Sequence, residues 1–552
     1  MGAAAPSQPN GAARREWIVA GGVCLVAVVL HLLFLTHAGG LWRDEANTAQ
    51  VATLPSLGEL WHELTHDSFP ALYPLLLRVW GAVGLGGSDF GLRCFGCLVG
   101  FGMIGAAWAT ARNFGFRVPW IMLSLIACNL AFVRWGDSLR AYGLGCVLII
   151  LCVGRVWKFV VQPSPRQFAI ASGVALLCVQ CLFQSAFLIA AVCISASLVC
   201  FRRGRNQIGW ASLFLGLPAA LSLLPYLGPI KKAQQWFVVE KSGFNGRLGW
   251  HTFSTAMDTP LFVGPVLWIG LLLCAIFVGM ALLEKRLSRR DDVSNDLPLF
   301  GAIAAVAGGI GFFIFAVLAG LPTQPWYWLL VLAFFAACIE AALGNRLARA
   351  GGWVIYVCAG IAALSAATTL TQINCRMTRM DEVARHLNQQ AGPEDLIVVY
   401  PWYNGVSFHR YYHGPAAWTT LPELSDHRVH RYDLVKVRLQ ETDPVQPIIA
   451  RVQQVMNAGG KIWLVGGLPP PQPGETQPPQ LPPAPESPTG WYDEPYTYVW
   501  GRQFESFLQR QARAAQPVVV GGAGCYSIYE DVPLMMISGF PVLNSQRGEA
   551  AK

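Results

Sequence analysis

Eleven apolar runs recur through the first two thirds of the chain, at 17–36, 90–111, 118–135, 139–161, 167–183, 185–201, 209–228, 260–283, 299–320, 326–344 and 351–370. A run of about 17–25 such residues spans a hydrocarbon layer of about 30 Å as an α-helix, because each residue adds about 1.5 Å. In that medium every backbone N–H and C=O must find its partner within the segment, which favours helices. The chain is therefore read as a polytopic α-helical membrane protein. Its make-up agrees: 13% of residues are charged, against about 25% in an average soluble domain. Only Gln184 separates the fifth run from the sixth, so that hairpin is the tightest of the set.

Charge placement orients the spans. With the N-terminus inside, sixteen Lys and Arg fall in inner segments and nine in the longer outer ones, as the positive-inside rule requires. The net charge of +8 is thus a topological signal and carries no indication of nucleic acid. The first apolar run lacks a convincing cleavage site and is read as a retained anchor. The expected organisation is a cytoplasmic tail over 1–16, a transmembrane domain over 17–370 with a first outer loop at 37–89, and an extracytoplasmic (periplasmic) domain over 371–552. The chain contains no Asn-x-Ser/Thr sequon, which fits a bacterial plasma membrane.

Residues 371–552 alternate helical and strand patterns: RMTRMDEVARHLNQQA, GPEDLIVVYP, IIARVQQVMNAGG and KIWLVGG. That alternation predicts a soluble α/β domain with βαβ units. A proline-rich stretch at 469–488 predicts an extended or disordered loop. A helix is expected over roughly 499–515, and a closing strand pair near PVVVGG and GCYSIYE. Of 15 cysteines, 13 lie in or beside apolar runs, where cysteine behaves as a small hydrophobe. Cys94 and Cys97 form a CxxC without His or carboxylate neighbours, which favours packing over metal or redox chemistry. Cys375 and Cys525 fall in the tail; an oxidising compartment allows a disulfide between them, and sequence does not decide it.

The loop Leu41–Trp80 carries most of the chemistry. It holds five carboxylates: Asp44, Glu45, Glu59, Glu63 and Asp67. Residues 46–66 pattern as two short amphipathic helices on the bilayer surface, and 71–85 as an interfacial segment interrupted by prolines. A carboxylate at the membrane boundary can act as general base toward a hydroxyl or amine. Neighbouring oxygen ligands can hold a divalent cation on a phosphate. The plainer alternative is that Asp44 and Glu45 mark a helix end. The short outer loop FVRWGDSLRAYGLG places Arg134, Asp137 and Arg140 beside Tyr142. Charges so close to the membrane point to function: Arg140 can grip a lipid-linked phosphate, or an Asp137–Arg pair can staple the hairpin. Residues 225–250 interleave Lys231, Lys232, Lys241 and Arg247 with aromatics, suiting an anionic headgroup or simple interfacial anchoring. Trp326, Tyr327 and Trp328 read as an aromatic belt.

Three of these stretches together resemble the GT-C superfamily of polyprenyl-phosphate-sugar-dependent glycosyltransferases. The nearest likeness is to the protein-mannosyltransferase-like and aminoarabinose-transferase-like branch (glycosyltransferase family 39 type). They are Asp44-Glu45 after the first span, HDSFPALYPLLLRVWGAVGLGGSDFGLR from His66 to Arg93, and GDSLRAYGL from Gly136 to Leu144. The resemblance covers 17–370 and reaches the tail only loosely. It implies a GT-C transmembrane domain, and transfer of a hexosyl or pentosyl group with inversion from a polyprenyl-phosphate donor. The acceptor would be a glycan, lipid or protein on the outer face. It implies Asp44 as general base, Glu45 orienting the acceptor or a metal, and Asp67 as the second acidic position. His66, Arg93, Arg140 and Tyr142 would lie near the donor; Lys231 and Lys232, from the basic and aromatic pattern of 225–250 and not from the resemblance, are further candidate headgroup contacts. Phe69, Ala71, Pro74 and Ser138 depart from the family pattern and remove two potential metal ligands, so a divalent cation such as Mg or Mn stays open. The rival readings are a polytopic transporter or lipid flippase, which predicts repeats or mid-membrane charges, and a non-catalytic envelope scaffold.

Overall fold

A computed structural model describes residues 11–67, 69–236, 244–257, 263–283, 293–320, 323–473, 475, 477–486, 493–522 and 524–539. Lys241 lies outside the described residues.

The first span is α1 (Gly11–His37). The outer loop then folds into α2 (Arg43–Ala52), α3 (Leu57–Glu63), a 3-10 turn (Leu64–His66) and α4 (Leu72–Trp80), continued by a π-helical turn (Gly81–Leu85). Ser56 caps α3 by accepting the Glu59 N–H; Ser88 caps α5 (Asp89–Phe114) in the same way through Gly91. The third expected span is broken into α6 (Trp120–Met122), a π-helical turn (Leu123–Ala127) and α7 (Leu130–Gly136). Asn129 supplies the break: its Oδ1 accepts from the N–H of Ala131 at 2.9 Å and starts α7.

The bundle continues through α8 (Ala141–Val161), α9 (Pro165–Cys181) and α10 (Ser185–Arg202). Then come α11 (Asn206–Phe214), α12 (Leu217–Leu221), α13 (Leu227–Trp236), α14 (Gly246–Met257), α15 (Val263–Leu283), α16 (Leu297–Ala319), α17 (Leu329–Arg349) and α18 (Trp353–Gln372). Among the described residues, nine helical stretches are long and apolar enough to cross a membrane. The α6–α7 segment and the 17-residue α9 fall short of that length, yet both carry the chain across the bundle. The Leu139 N–H after α7 bonds to Glu45 in the first loop. Phe183 after α9 packs on Tyr226, which bonds the Ala71 N–H. Glu340, buried in α17, accepts the N–H groups of Ile121 and Met122 at 2.8 and 3.0 Å. A carboxylate deep in the bundle thus serves as the cap of the broken third span.

The tail contains α19 (Met380–Gln390), β1 (Leu396–Val399), α20 (Gly405–Tyr411), β2 (Ala417–Thr420), α21 (Tyr432–Leu439), α22 (Gln446–Asn457), β3 (Ile462–Val465), α23 (Glu494–Gln511), β4 (Ala514–Val518) and β5 (Leu534–Ser538). The sheet order is β2-β1-β3-β5-β4, with β1 parallel to β2 and β3, and β5 antiparallel to β3 and β4. Side chains alternate across β1. Leu396 and Val398 pack with Trp500 and Phe504 on one face, and Ile397 and Val399 pack with Leu387 and Phe408 on the other. The expected α/β alternation is present, but the last strand is Leu534–Ser538 and not GCYSIYE. That stretch instead forms one bridge to Arg376 and a Cys375–Cys525 disulfide. The proline-rich stretch is coil where described, and Arg502 holds it through Glu475 at 3.0 Å.

The tail is docked on the first outer loop. The Met377 N–H bonds Ala38 O at 2.8 Å, and Leu41 N–H bonds the Tyr411 hydroxyl. Asp89 takes Arg410 and the Tyr411 hydroxyl, each at 2.6 Å. As a result α2, expected on the bilayer surface, is largely buried between the bundle and α20.

Candidate active site

Adjacent residues on a helix point about 100° apart, and α2 uses this to separate its two acids. Glu45 turns inward. It is completely buried, pairs with both terminal nitrogens of Arg93 at 3.1 and 2.9 Å, and accepts the N–H groups of Leu139 and Trp42. Arg93 also donates to Gly39 O and Gly40 O; Gly39, at φ +68°, makes the turn from α1 that offers these carbonyls. Glu45 and Arg93, expected at the acceptor and the donor phosphate, therefore face each other and not a cleft. They fix α2 against α5 and the α7–α8 loop.

Asp44 turns the other way and keeps 22% of its side chain exposed. Its Oδ1 lies 3.6 Å from Arg43 Nε and 3.7 Å from His430 Nε2. Burial opposes its ionisation, but His430 and the Arg140 and Arg43 charges outweigh burial and hold the carboxyl well below the usual range. Arg140 is the hub. One terminal nitrogen donates to Thr48 Oγ1 at 2.9 Å and to Asp44 O at 3.3 Å, and the other lies 3.7 Å from Asp67 Oδ1. Its guanidinium sits 4.3 Å over the Phe69 ring. Phe69 thus has a positive use: an aromatic shelf under the cation. Tyr142 packs edge-on against Phe69 and near Tyr327, with centroids 5.2 and 5.9 Å apart.

His66 is buried, with Nδ1 3.9 Å from Asp433 and Nε2 3.9 Å from Glu63. Burial pushes it down to about 4, so it is neutral at pH 7. Lys231 and Lys232 are exposed on α13 and approach the cluster only through the packing of that helix on Leu64–His66. Asp137 does not pair with an arginine across its hairpin; it takes His31 of α1 at 2.7 Å. A Cβ at Gly96 would fall 1.9 Å from Asp137 O, so α5 lets this loop approach only as glycine. Trp326 is buried against Trp135 and Tyr529, with centroids 4.4 and 4.9 Å apart, and Tyr327 reaches Tyr142. These two form the floor of the cluster and are not the lipid-facing belt their spacing suggests.

The tail contributes residues that sequence reasoning missed. The carboxyl ends of β1 and β2 point at the first loop, the edge where open α/β sheets present ligand-binding loops. After β1, the Tyr403 ring lies 4.3 Å from the Arg43 guanidinium. After β2, the His430 N–H bonds Asn47 Oδ1 at 2.9 Å, and its ring flanks Asp44. Glu530 accepts the Arg43 N–H at 2.5 Å and the Ser407 hydroxyl. The stretch HRVHRYD, 427–433, was the visible signal, with two His and two Arg in one loop.

Among the described residues, no group of three or more His, Cys, Asp or Glu is arranged to hold a metal ion. The Arg140 guanidinium faces both Asp44 and Asp67, the acids expected near a cation.

No family model matches the chain, and no curated protein matches it by sequence. Among solved structures, it is similar to ArnT from Cupriavidus metallidurans bound to undecaprenyl phosphate. The two share 14% identity at a TM-score of 0.49, over 81% of this chain and 93% of that one. It is also similar to the archaeal oligosaccharyltransferase AglB from Archaeoglobus fulgidus in complex with an inhibitory peptide and a dolichol-phosphate, at 12% identity and a TM-score of 0.46 over 81% and 69% of the two chains. The Archaeoglobus fulgidus oligosaccharyltransferase tethered to an acceptor peptide gives 10% identity and a TM-score of 0.48, over 93% and 74%. Values this low leave the site to be interpreted from its own geometry.

Proposed function

We propose that the protein is an inverting membrane glycosyltransferase of GT-C type. It would move a sugar from a polyprenyl-phosphate donor to a hydroxyl or amine acceptor, on the face that carries the first outer loop and the tail. The observation that carries this reading is the Arg140 hub: a buried guanidinium between Asp44 and Asp67, roofed by the tail. The leaving group of such a reaction is an anionic lipid phosphate, and a preorganised cation at the membrane edge stabilises its developing charge. Arg140 meets the phosphate oxygen, and Tyr142, Tyr327 and Phe69 wall the sugar end. The Asp44 end of the cluster orients the attacking group and provides for its proton.

Two features support the outer-face assignment. The Cys375–Cys525 disulfide belongs in an oxidising compartment, and of the 25 Lys and Arg before residue 371 sixteen lie in the opposite loops. A transporter would carry ionisable groups poised along a mid-membrane path. Here Glu340 is spent on backbone N–H groups and His31 on Asp137.

The test incubates purified protein in detergent with undecaprenyl phosphate carrying radiolabelled hexose or pentose, and follows release of the lipid phosphate. Wild type is expected to consume a donor, and Arg140→Lys to lose about 100-fold in kcat with the fold intact, because an ammonium cannot reproduce the planar fork. An Arg140→Lys enzyme as fast as wild type removes Arg140 from the phosphate.

A further inference from the structure

The glycosyltransferase reading leaves a question of chemistry: where does the acceptor's proton go? Asp44 is ionised, but His430 and the two arginines that keep it so also make it a poor base. Beside it stands a group with a better claim. The His430 side chain is only 8% exposed, and neither ring nitrogen has a hydrogen-bond partner among the described residues. Buried polar atoms are almost always paired, so two orphaned nitrogens on one buried ring mark a place where something else binds. Nε2 lies 3.7 Å from Asp44 Oδ1, too far for a direct hydrogen bond.

The ring is held in place without using either nitrogen. The backbone N–H of His430 is tied to Asn47 on α2, one helical turn from Asp44. The Trp402 and Tyr432 rings flank it, with centroids 6.2 and 5.9 Å away. The domain that carries it is bolted to the loop through Asp89 with Arg410, and through Arg43 with Glu530. The charged and titratable groups of the surrounding cluster are Asp44, Arg43, Arg140, His66, Asp67 and Tyr327 from the membrane domain, and Tyr403, Tyr432, Asp433, Asp493 and Glu530 from the tail.

We propose that His430, delivered by the C-terminal domain, is the catalytic base, and that Asp44 orients the acceptor and balances the imidazolium that forms. This rests on the glycosyltransferase reading. The acceptor's O–H or N–H bond breaks and its proton passes to His430 Nε2. The freed electron pair forms the bond to the anomeric carbon, while the bond from that carbon to the phosphate oxygen breaks and its pair leaves on the phosphate, facing Arg140. The imidazolium then returns its proton to water. The tail is on this account a working part of the active site and not only its cap.

The experiment measures kcat and donor KM between pH 5 and 9 for wild type, His430→Gln and His430→Ala, using the labelled undecaprenyl-phosphate sugar that wild type consumes. Melting temperature serves as the control for folding. His430→Gln is expected to lose about 100-fold in kcat with donor KM little changed, and to lose the acid limb of the wild-type pH–rate profile. Added imidazole is expected to restore part of the His430→Ala rate, which a purely structural histidine would not permit. Either variant within threefold of wild-type kcat, or an acid limb that survives in His430→Gln, overturns the assignment of His430. If His430→Gln fails to fold, imidazole rescue of His430→Ala decides, and absence of rescue counts against the proposal. Wild type that consumes no donor sinks the glycosyltransferase reading itself, a result distinct from the others.

Discussion

Glu45 and Arg93 form a buried ion pair in which both carboxylate oxygens meet both terminal guanidinium nitrogens, at 3.1 and 2.9 Å. The pair joins the first loop to the second span, and Leu139 N–H reaches the same carboxylate from the α7–α8 loop. Three chain segments that build the candidate site thus converge on one side chain.

Removing one partner of such a pair leaves the other charge buried and uncompensated, a cost of about 3–5 kcal/mol. Glu45→Ala is expected to melt well below wild type in detergent or to fail to accumulate. Asp44→Asn, one residue away and 22% exposed, is expected to fold, to lose less melting temperature than Glu45→Ala, and to lose activity. Replacing both members of the pair, with Glu45→Leu and Arg93→Met, is expected to recover part of the lost stability. Wild-type melting of Glu45→Ala would show that the pair holds nothing together.

Glu530 predicts a pH dependence of the docked tail. Burial pushes its carboxyl up to about 7, despite the Ser407 hydroxyl and the Arg43 charge and N–H. A carboxyl raised in the folded state favours the protonated form there. Its contribution is therefore fully present below its unfolded value near 4.5 and is lost as pH rises through about 7. His66, pushed down to about 4 by burial, works in the opposite sense: its contribution is complete above pH 6.5 and is lost as pH falls through about 4. The two oppose each other between about 4.5 and 6.5, so Glu530 is best seen from 6.5 to 8. There wild type is expected to lose melting temperature, and Glu530→Gln to lose less. Parallel curves for the two proteins would remove Glu530 from the interface.

The membrane architecture was legible because hydrocarbon imposes it: a span must be long, apolar and helical. Arg140 stood out in the sequence because a cation at a two-span hairpin is costly, but its position between Thr48 and Asp67 is set by the fold. What sequence could not supply was phase and distance. Asp44 and Glu45 are neighbours of the same type, and only the rotation of α2 against the bundle sends one to the Arg43, Arg140 and His430 cluster and the other to Arg93. The third span looks continuous in hydropathy, yet Asn129 competes for its own backbone and Glu340 rewards the break. His430 lies far from Asp44 along the chain, and nothing local joins them; their meeting depends on the carboxyl edge of β1 and β2 facing the loop.

Cys375 and Cys525 give a direct test of sidedness. They are bonded across 150 residues, while the other described cysteines are free. The bond ties the end of α18 to the segment carrying Tyr529 and Glu530, which touch Trp42 and Arg43. If the tail faces an oxidising compartment, protein denatured without reductant in the presence of a thiol reagent should leave these two cysteines unlabelled, and become labelled at both after reduction. Removing a native cross-link of this kind costs about 2–5 kcal/mol in small secreted domains, less where a large core remains. Cys375→Ser with Cys525→Ser is therefore expected to fold, to melt a few degrees lower, and to expose the 513–530 segment to protease sooner than wild type. Free thiols at both positions in protein taken from intact membranes would place the tail on the reducing side and reverse the orientation assigned here.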